Sequence, residues 1–232
     1  MVRSPSILRL LVSDFPPSAA VGPGLFTAAL VLLGSLTAPG AAAQTTPSFD
    51  CSAADGAVEE LICSDEELAR LDRHLQDVFG QAVGVIRGYP PALADQELPA
   101  FRTEQRGWIS GRNECWKSDD VRACTEEAYL RRIAELKAGY RLVDPEATVF
   151  WTCDGNPSNE FVTILFATTP RSVVVERGDG SEVAIQTPAA SGARYDGPFG
   201  AWFWIKGDEA TVEWPQGERH TCAVRERREG GR

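Results

Sequence analysis

The sequence predicts an α+β chain in two domains: a small disulfide-stapled helical domain, then an antiparallel β domain built as a barrel or sandwich. Three observations carry this. Apolar residues recur every three or four positions from Phe49 to about Tyr140. Beyond Val143-Asp144-Pro145 they alternate. The six cysteines divide as four in the first stretch and two in the second.

The helical stretch, residues 49–140, divides at its breakers. Asp55 is placed to cap a short helix carrying Val58, Leu61 and Ile62. Ser64-Asp65-Glu66-Glu67 reads as a capping box, with Ser64 accepting a backbone N–H and Glu67 reaching back. Behind it Leu68, Leu71, Leu75, Val78, Phe79 and Ala82 form one apolar stripe. Gly88-Tyr89-Pro90-Pro91 breaks the chain, and Pro99 is suited to begin the next helix, marked by Phe101, Trp108 and Ile109. Residues 113–120 read as a loop. Val121, Tyr129, Ile133 and Leu136 define a last helix, with Glu127 and Arg131 paired at i,i+4 on its wet side.

In the second stretch, residues 145–226, period two marks strands at 148–153, 160–167, 172–177, 182–187, 201–205, 210–214 and 219–224. Gly178-Asp179-Gly180-Ser181 is a hairpin turn, and Pro215-Gln216-Gly217 joins the last two strands. Seven or eight short strands over this length suit a small closed barrel or a sandwich.

Cysteine usage fits an oxidising compartment. Cys153 on the first strand and Cys222 on the last would close nearly the whole β domain, a loop worth about 4 kcal/mol in the chain-entropy model. Cys51, Cys63, Cys115 and Cys124 allow three pairings, and their spacing leaves all three open. Zinc is not expected, because there is no Cys-x-x-Cys pair and only two histidines, His74 and His220. No cofactor is implied.

Residues 1–43 read as a secretory signal peptide. Arg3 and Arg9 precede the apolar run Leu25 to Leu33, and small residues end at Ala41-Ala42-Ala43, placing cleavage near Ala43. A bilayer span needs about 20 apolar residues, and Gly34, Ser35, Pro39 and Gly40 interrupt the run. With no cysteine at the cleavage region to carry a lipid, the expected product is soluble and periplasmic or secreted. Removing Arg3, Arg9 and Asp14 with the leader moves the net charge from −10 to −11. That balance argues against nucleic acid and anionic membrane as partners and permits a basic one.

As an enzyme the sequence is poor. Nucleophilic catalysis needs a base beside Ser or Cys, yet the cysteines are expected to be oxidised. His74 falls on a polar helix face, and His220 stands two residues before Cys222 with no orienting partner legible. The carboxylates scatter over caps and strand edges rather than pairing as in a glycosidase.

The unusual stretch is 188–212. Two turn-like loops flank an aromatic strand, Ala201-Trp202-Phe203-Trp204-Ile205. Gly192 and Gly207 permit backbone geometry that a side chain forbids, and each follows a polar residue, Ser191 or Lys206. Read alone, these are ordinary hairpin turns with an ordinary exposed lysine.

Ser191-Gly192-Ala193-Arg194-Tyr195, followed by Phe203-Trp204-Ile205-Lys206-Gly207-Asp208-Glu209-Ala210-Thr211-Val212, resembles the paired motifs of the MliC/PliC family of bacterial c-type lysozyme inhibitors. The resemblance runs from about Phe150 to Val224. It implies an eight-stranded antiparallel barrel that inserts two loops into the lysozyme cleft. The roles it carries over are contact with the enzyme's catalytic carboxyls by Ser191 and Lys206, and shaping of the loops by Gly192, Tyr195 and Gly207. Residues 49 to about 138 are similar to the LprI N-terminal domain, through Phe49-Asp50-Cys51-Ser52, Val58 to Ser64, Gln105-Arg106-Gly107-Trp108, Arg112-Asn113-Glu114-Cys115, Cys124 and Tyr129 to Ile133. No binding residue is implied there. The resemblance thus points to an exported inhibitor whose partner is c-type lysozyme, a basic protein, with no oligomeric state specified. The alternative is an envelope module that binds another protein or a glycan. A cell-wall hydrolase is the third reading.

Overall fold

In the computed structural model, residues 45–215 and 217–230 are described, so the leader read at residues 1–43 lies outside them. Four helices, α1 (Ala57–Ser64), α2 (Glu66–Arg87), α3 (Pro91–Asn113) and α4 (Val121–Gly139), precede eight strands. The strands are β1 (Ala147–Cys153), β2 (Asn156–Phe166), β3 (Ser172–Arg177), β4 (Gly180–Thr187), β5 (Ala193–Asp196), β6 (Trp202–Lys206), β7 (Glu209–Trp214) and β8 (Glu218–Glu229). Each strand pairs antiparallel with the next, and β8 returns to β1, so the sheet closes as an eight-stranded barrel. Closure removes the exposed edge that an open sheet of this size would present.

The helix starts differ from the sequence reading in three places. Asp55 caps nothing. Gly56 is the N-cap of α1, and the Asp55 backbone N–H instead donates to Glu59. The cap of α2 is Asp65, whose carboxylate accepts from the Glu67 and Leu68 N–H groups, while Ser64 ends α1 and donates its hydroxyl to the Leu61 carbonyl. An aspartate one position on satisfies two orphan N–H groups at once, and its charge suits the positive helix end. The third helix begins at Pro91, not Pro99. Pro91 fits the first helical position equally well. Pro99 falls on the exposed side of α3, where the Asp95 carbonyl it leaves unbonded can be solvated. Between α3 and α4 the expected loop holds a short 3-10 turn, Glu114–Lys117. On α4 Arg122 pairs with Glu126 at 2.6 Å, and no Glu127–Arg131 pair occurs among the described residues.

The helical core gathers the predicted stripe, Leu68, Leu75, Val78 and Ala82, with Ile62, Phe101, Tyr129 and Ile133. At its centre is a buried polar relay. Arg112 Nη1 donates to the Tyr129 hydroxyl at 2.7 Å, which donates to Asp72 Oδ1 at 2.8 Å, and the Ser48 backbone N–H reaches the other Asp72 oxygen at 2.6 Å. Glu59 stands 3.5 Å from Arg112 Nη2. Burial pushes the Tyr129 hydroxyl's pKa well up, so it acts only as a neutral link.

The barrel core is built from inward residues of every strand, with Trp151, Phe161, Tyr195 and Phe203 fully buried. The Trp151 indole N–H is satisfied by Thr163 Oγ1 at 2.9 Å. The third strand breaks the half-buried rule: Val173 and Val175 point into the barrel, yet the outward Val174 is also buried, 1 % exposed. It is covered by α4, whose Ala138 packs with Phe166 and Val174 in a separate apolar cluster. The approach is close, because a Cβ on Gly139 would sit 3.3 Å from Val183 Cγ2. The helical and β stretches therefore pack directly through α4.

All six cysteines are paired. The bonds are Cys51–Cys63, Cys115–Cys124 and Cys153–Cys222, so the pairing left open in the helical stretch is local on both sides.

Candidate functional site

Strand register brings the two loops of the unusual stretch to one end of the barrel. Four residues expected to be loop, Ala193–Asp196, form β5, which pairs with β6 as Ala193↔Ile205, Arg194↔Trp204 and Tyr195↔Phe203. Residues 188–192 enter that strand just where Lys206 leaves the other. Beyond Lys206, the Lys206↔Glu209 pair leaves Gly207-Asp208 as a two-residue hairpin turn, with Gly207 at φ +65°. Glycine adopts that angle at no steric cost at the first position of such a turn.

Gly192 joins the loops. Its φ is +68°, and a Cβ built on it would collide with the Ile205 carbonyl oxygen and stand 3.0 Å from Lys206 Cγ. The missing side chain lets the Ser191 loop lie flat against the base of the lysine.

Ser191 and Lys206 are both exposed. Their surroundings hold a residue that the motif reading passed over. Trp204 Nε1 donates to the Ser191 carbonyl at 2.8 Å, and the Lys206 ammonium lies 3.6 Å from the centroid of a Trp204 ring. Alternation along β6 explains this: Phe203 and Ile205 turn toward the barrel core, so Trp202, Trp204 and Lys206 share the outer face. The pattern Trp-Phe-Trp-Ile-Lys was the available signal.

Tyr195 stands apart. It is 2 % exposed and inside the barrel, and burial raises its hydroxyl pKa against the opposing pull of the Arg171 guanidinium. Asp208, at the hairpin tip, is largely exposed, with Arg227 Nη2 at 3.4 Å from its carboxylate.

Each histidine has a polar side-chain partner. Lys137 Nζ stands 3.0 Å from His74 Nε2. His220 has the orienting partner that the sequence did not reveal: its Nδ1 is 2.7 Å from Asp154 Oδ2. That contact holds the Asp154 carboxyl below its usual range. The dyad sits at the opposite end of the barrel, by the β1–β2 turn, beside the oxidised Cys222. Among the described residues no group of three or more His, Cys, Asp or Glu is placed to hold a metal ion, and no helix is long and apolar enough to cross a membrane.

Comparison with known proteins follows the same division. Residues 51–136 match the family model described as lysozyme inhibitor LprI, and residues 151–220 match that of the membrane-bound lysozyme-inhibitor of c-type lysozyme, MliC. The LprI match precedes the MliC match along the chain. Among its relatives, Lipoprotein LprI of Mycobacterium tuberculosis (strain ATCC 25618 / H37Rv) and of Mycobacterium bovis (strain ATCC BAA-935 / AF2122/97) are each 28% identical to it over 198 residues. The match covers 82% of this chain and 92% of each relative. No solved structure matches. The MliC match spans β5, β6 and β7, so both loops and Trp204 lie inside it.

Proposed function

We propose that the chain is an exported inhibitor of c-type lysozyme and that it occludes the enzyme's cleft with the Ser191 loop and the Lys206 hairpin. Both matched families are inhibitor families. The observation that carries the cleft-directed reading is the contact of the two loops through Gly192, which presents a hydroxyl from a loop beside an ammonium at the end of the adjoining strand of a closed barrel.

The chemistry suits such a target. A retaining lysozyme works with two carboxyls about 5 Å apart, one protonated and one ionised. An ammonium entering that groove gains charge-assisted hydrogen bonds in a partly desolvated site, and a serine hydroxyl can satisfy the second carboxyl. The inhibitor needs no reaction of its own, only rigid placement. Its acidic balance, −10 for the full chain and −11 without the leader, speeds encounter with a basic enzyme at low salt.

The test is a peptidoglycan-turbidity assay of c-type lysozyme titrated with the exported chain. Equimolar inhibition that weakens with added salt is expected. Unchanged lysozyme activity at low salt overturns the reading. Retention on immobilised lysozyme without inhibition overturns cleft occlusion and favours an envelope binding module.

A further inference from the structure

One indole side chain touches both parts of the candidate site. Residues 188–192, between β4 and β5, make no ladder pairs. The Trp204 N–H ties this loop to the sheet at the Ser191 carbonyl, 2.8 Å away and 13 positions distant in sequence. On the same side chain the ring carries the Lys206 ammonium, 3.6 Å from its centroid. A lysine at a hairpin tip otherwise samples many rotamers, and an indole, with only two rotatable bonds, is a stiff reference. We propose that Trp204 is a positioning residue: it sets the spacing between the Ser191 hydroxyl and the Lys206 ammonium before the partner arrives, a role that rests on the inhibition reading above.

The neighbouring tryptophan makes the contrast. Trp202 shares the outer face of β6, but its ring carries Arg194 at 4.8 Å and Arg219 at 5.5 Å. It is occupied by barrel-wall cations. Trp204 alone among the aromatics of β6 reaches the Ser191 loop by hydrogen bond. Its two contacts are also separable: phenylalanine retains a ring face for the lysine and lacks the N–H, whereas leucine lacks both.

The experiment has two arms. In the free protein, side-chain NMR should find the Lys206 methylene protons shifted upfield by the ring in wild type and in W204F, and at ordinary positions in W204L. In the turbidity assay W204F should inhibit about threefold more weakly, the size of one lost neutral hydrogen bond, and W204L about tenfold. W204L added to K206A should weaken inhibition less than the product of the single effects, because the two act as one unit. Unshifted Lys206 signals in wild type, full inhibition by W204L, or multiplying losses in the double variant overturns the proposal. Thermal melts accompany each variant, and W204F keeps the test open where W204L does not fold. A wild-type chain that fails to inhibit overturns the inhibition reading and this role together; wild-type inhibition with unshifted Lys206 signals overturns Trp204 alone.

Discussion

The backbone of Gly192 is pressed against the carbonyl of Ile205 so closely that no side chain fits between them, and at φ +68° it holds a conformation that side chains disfavour. Strain and collision act together on Gly192→Ala. The left-handed angle alone costs about 1–2 kcal/mol, and the collision must lift the Ser191 loop off β6. Inhibition by this variant should weaken at least about tenfold, with the barrel melting little changed because the loop lies outside its core. Turbidity and thermal melts together check it, and equal loss in both readouts would point to global damage instead.

Lys206→Ala should raise the inhibition constant at least about tenfold, as expected for a desolvated charge-assisted anchor. Ser191→Ala should do less, since a neutral hydroxyl contact is the weaker one. Parallel inhibition curves measure the difference, and the reverse order would contradict the assigned roles.

Tyr129→Phe removes the link between Arg112 and Asp72, leaving Arg112 Nη1 and Asp72 Oδ1, 3.8 Å apart, without their bridge. Urea unfolding should show a loss of about 1–3 kcal/mol, the penalty for unsatisfied buried groups. Lysozyme inhibition by the folded variant should persist, because the relay lies in the helical core.

The pKa of His74 is held below its ordinary value, first by burial and then by the Lys137 ammonium. The folded state therefore favours neutral imidazole. Its contribution is complete above about pH 6.5 and is lost as the pH falls below that value, where the unfolded chain takes up the proton first. Urea midpoints measured between pH 7.5 and 5 should fall for the wild type and stay flatter for His74→Gln.

Replacing both Cys153 and Cys222 by serine should cost the barrel about 4 kcal/mol, from the entropy returned to an unfolded loop of 69 residues' separation. Guanidinium titration under oxidising conditions measures this, and little change would mean that hydrogen-bonded closure of β8 on β1 suffices.

Much of this was legible before folding. Strand three was read at its observed bounds, 172–177. The Ser191 and Lys206 motifs carried their own glycines. What stayed hidden was non-local. Strand five is four residues long, too short for any period to register, and exists because β4 and β6 flank it. Asp154 lies 66 residues from the His220 it orients. Trp204 read as part of an aromatic strand, and its bond to Ser191 depends on register.

The sequence by itself determined the two periods, the order of the two segments, the disulfide-forming context and the glycine-bearing loops, because spacing and backbone freedom are properties of neighbouring residues. Only the tertiary structure decided that α4 buries both sides, Tyr129 and Ile133 toward the helical core and Ala138 toward the outward Val174. It likewise decided that one indole spans two loops. Both outcomes depend on which surfaces meet once the barrel has closed, and that geometry is set by contacts between residues far apart in the chain.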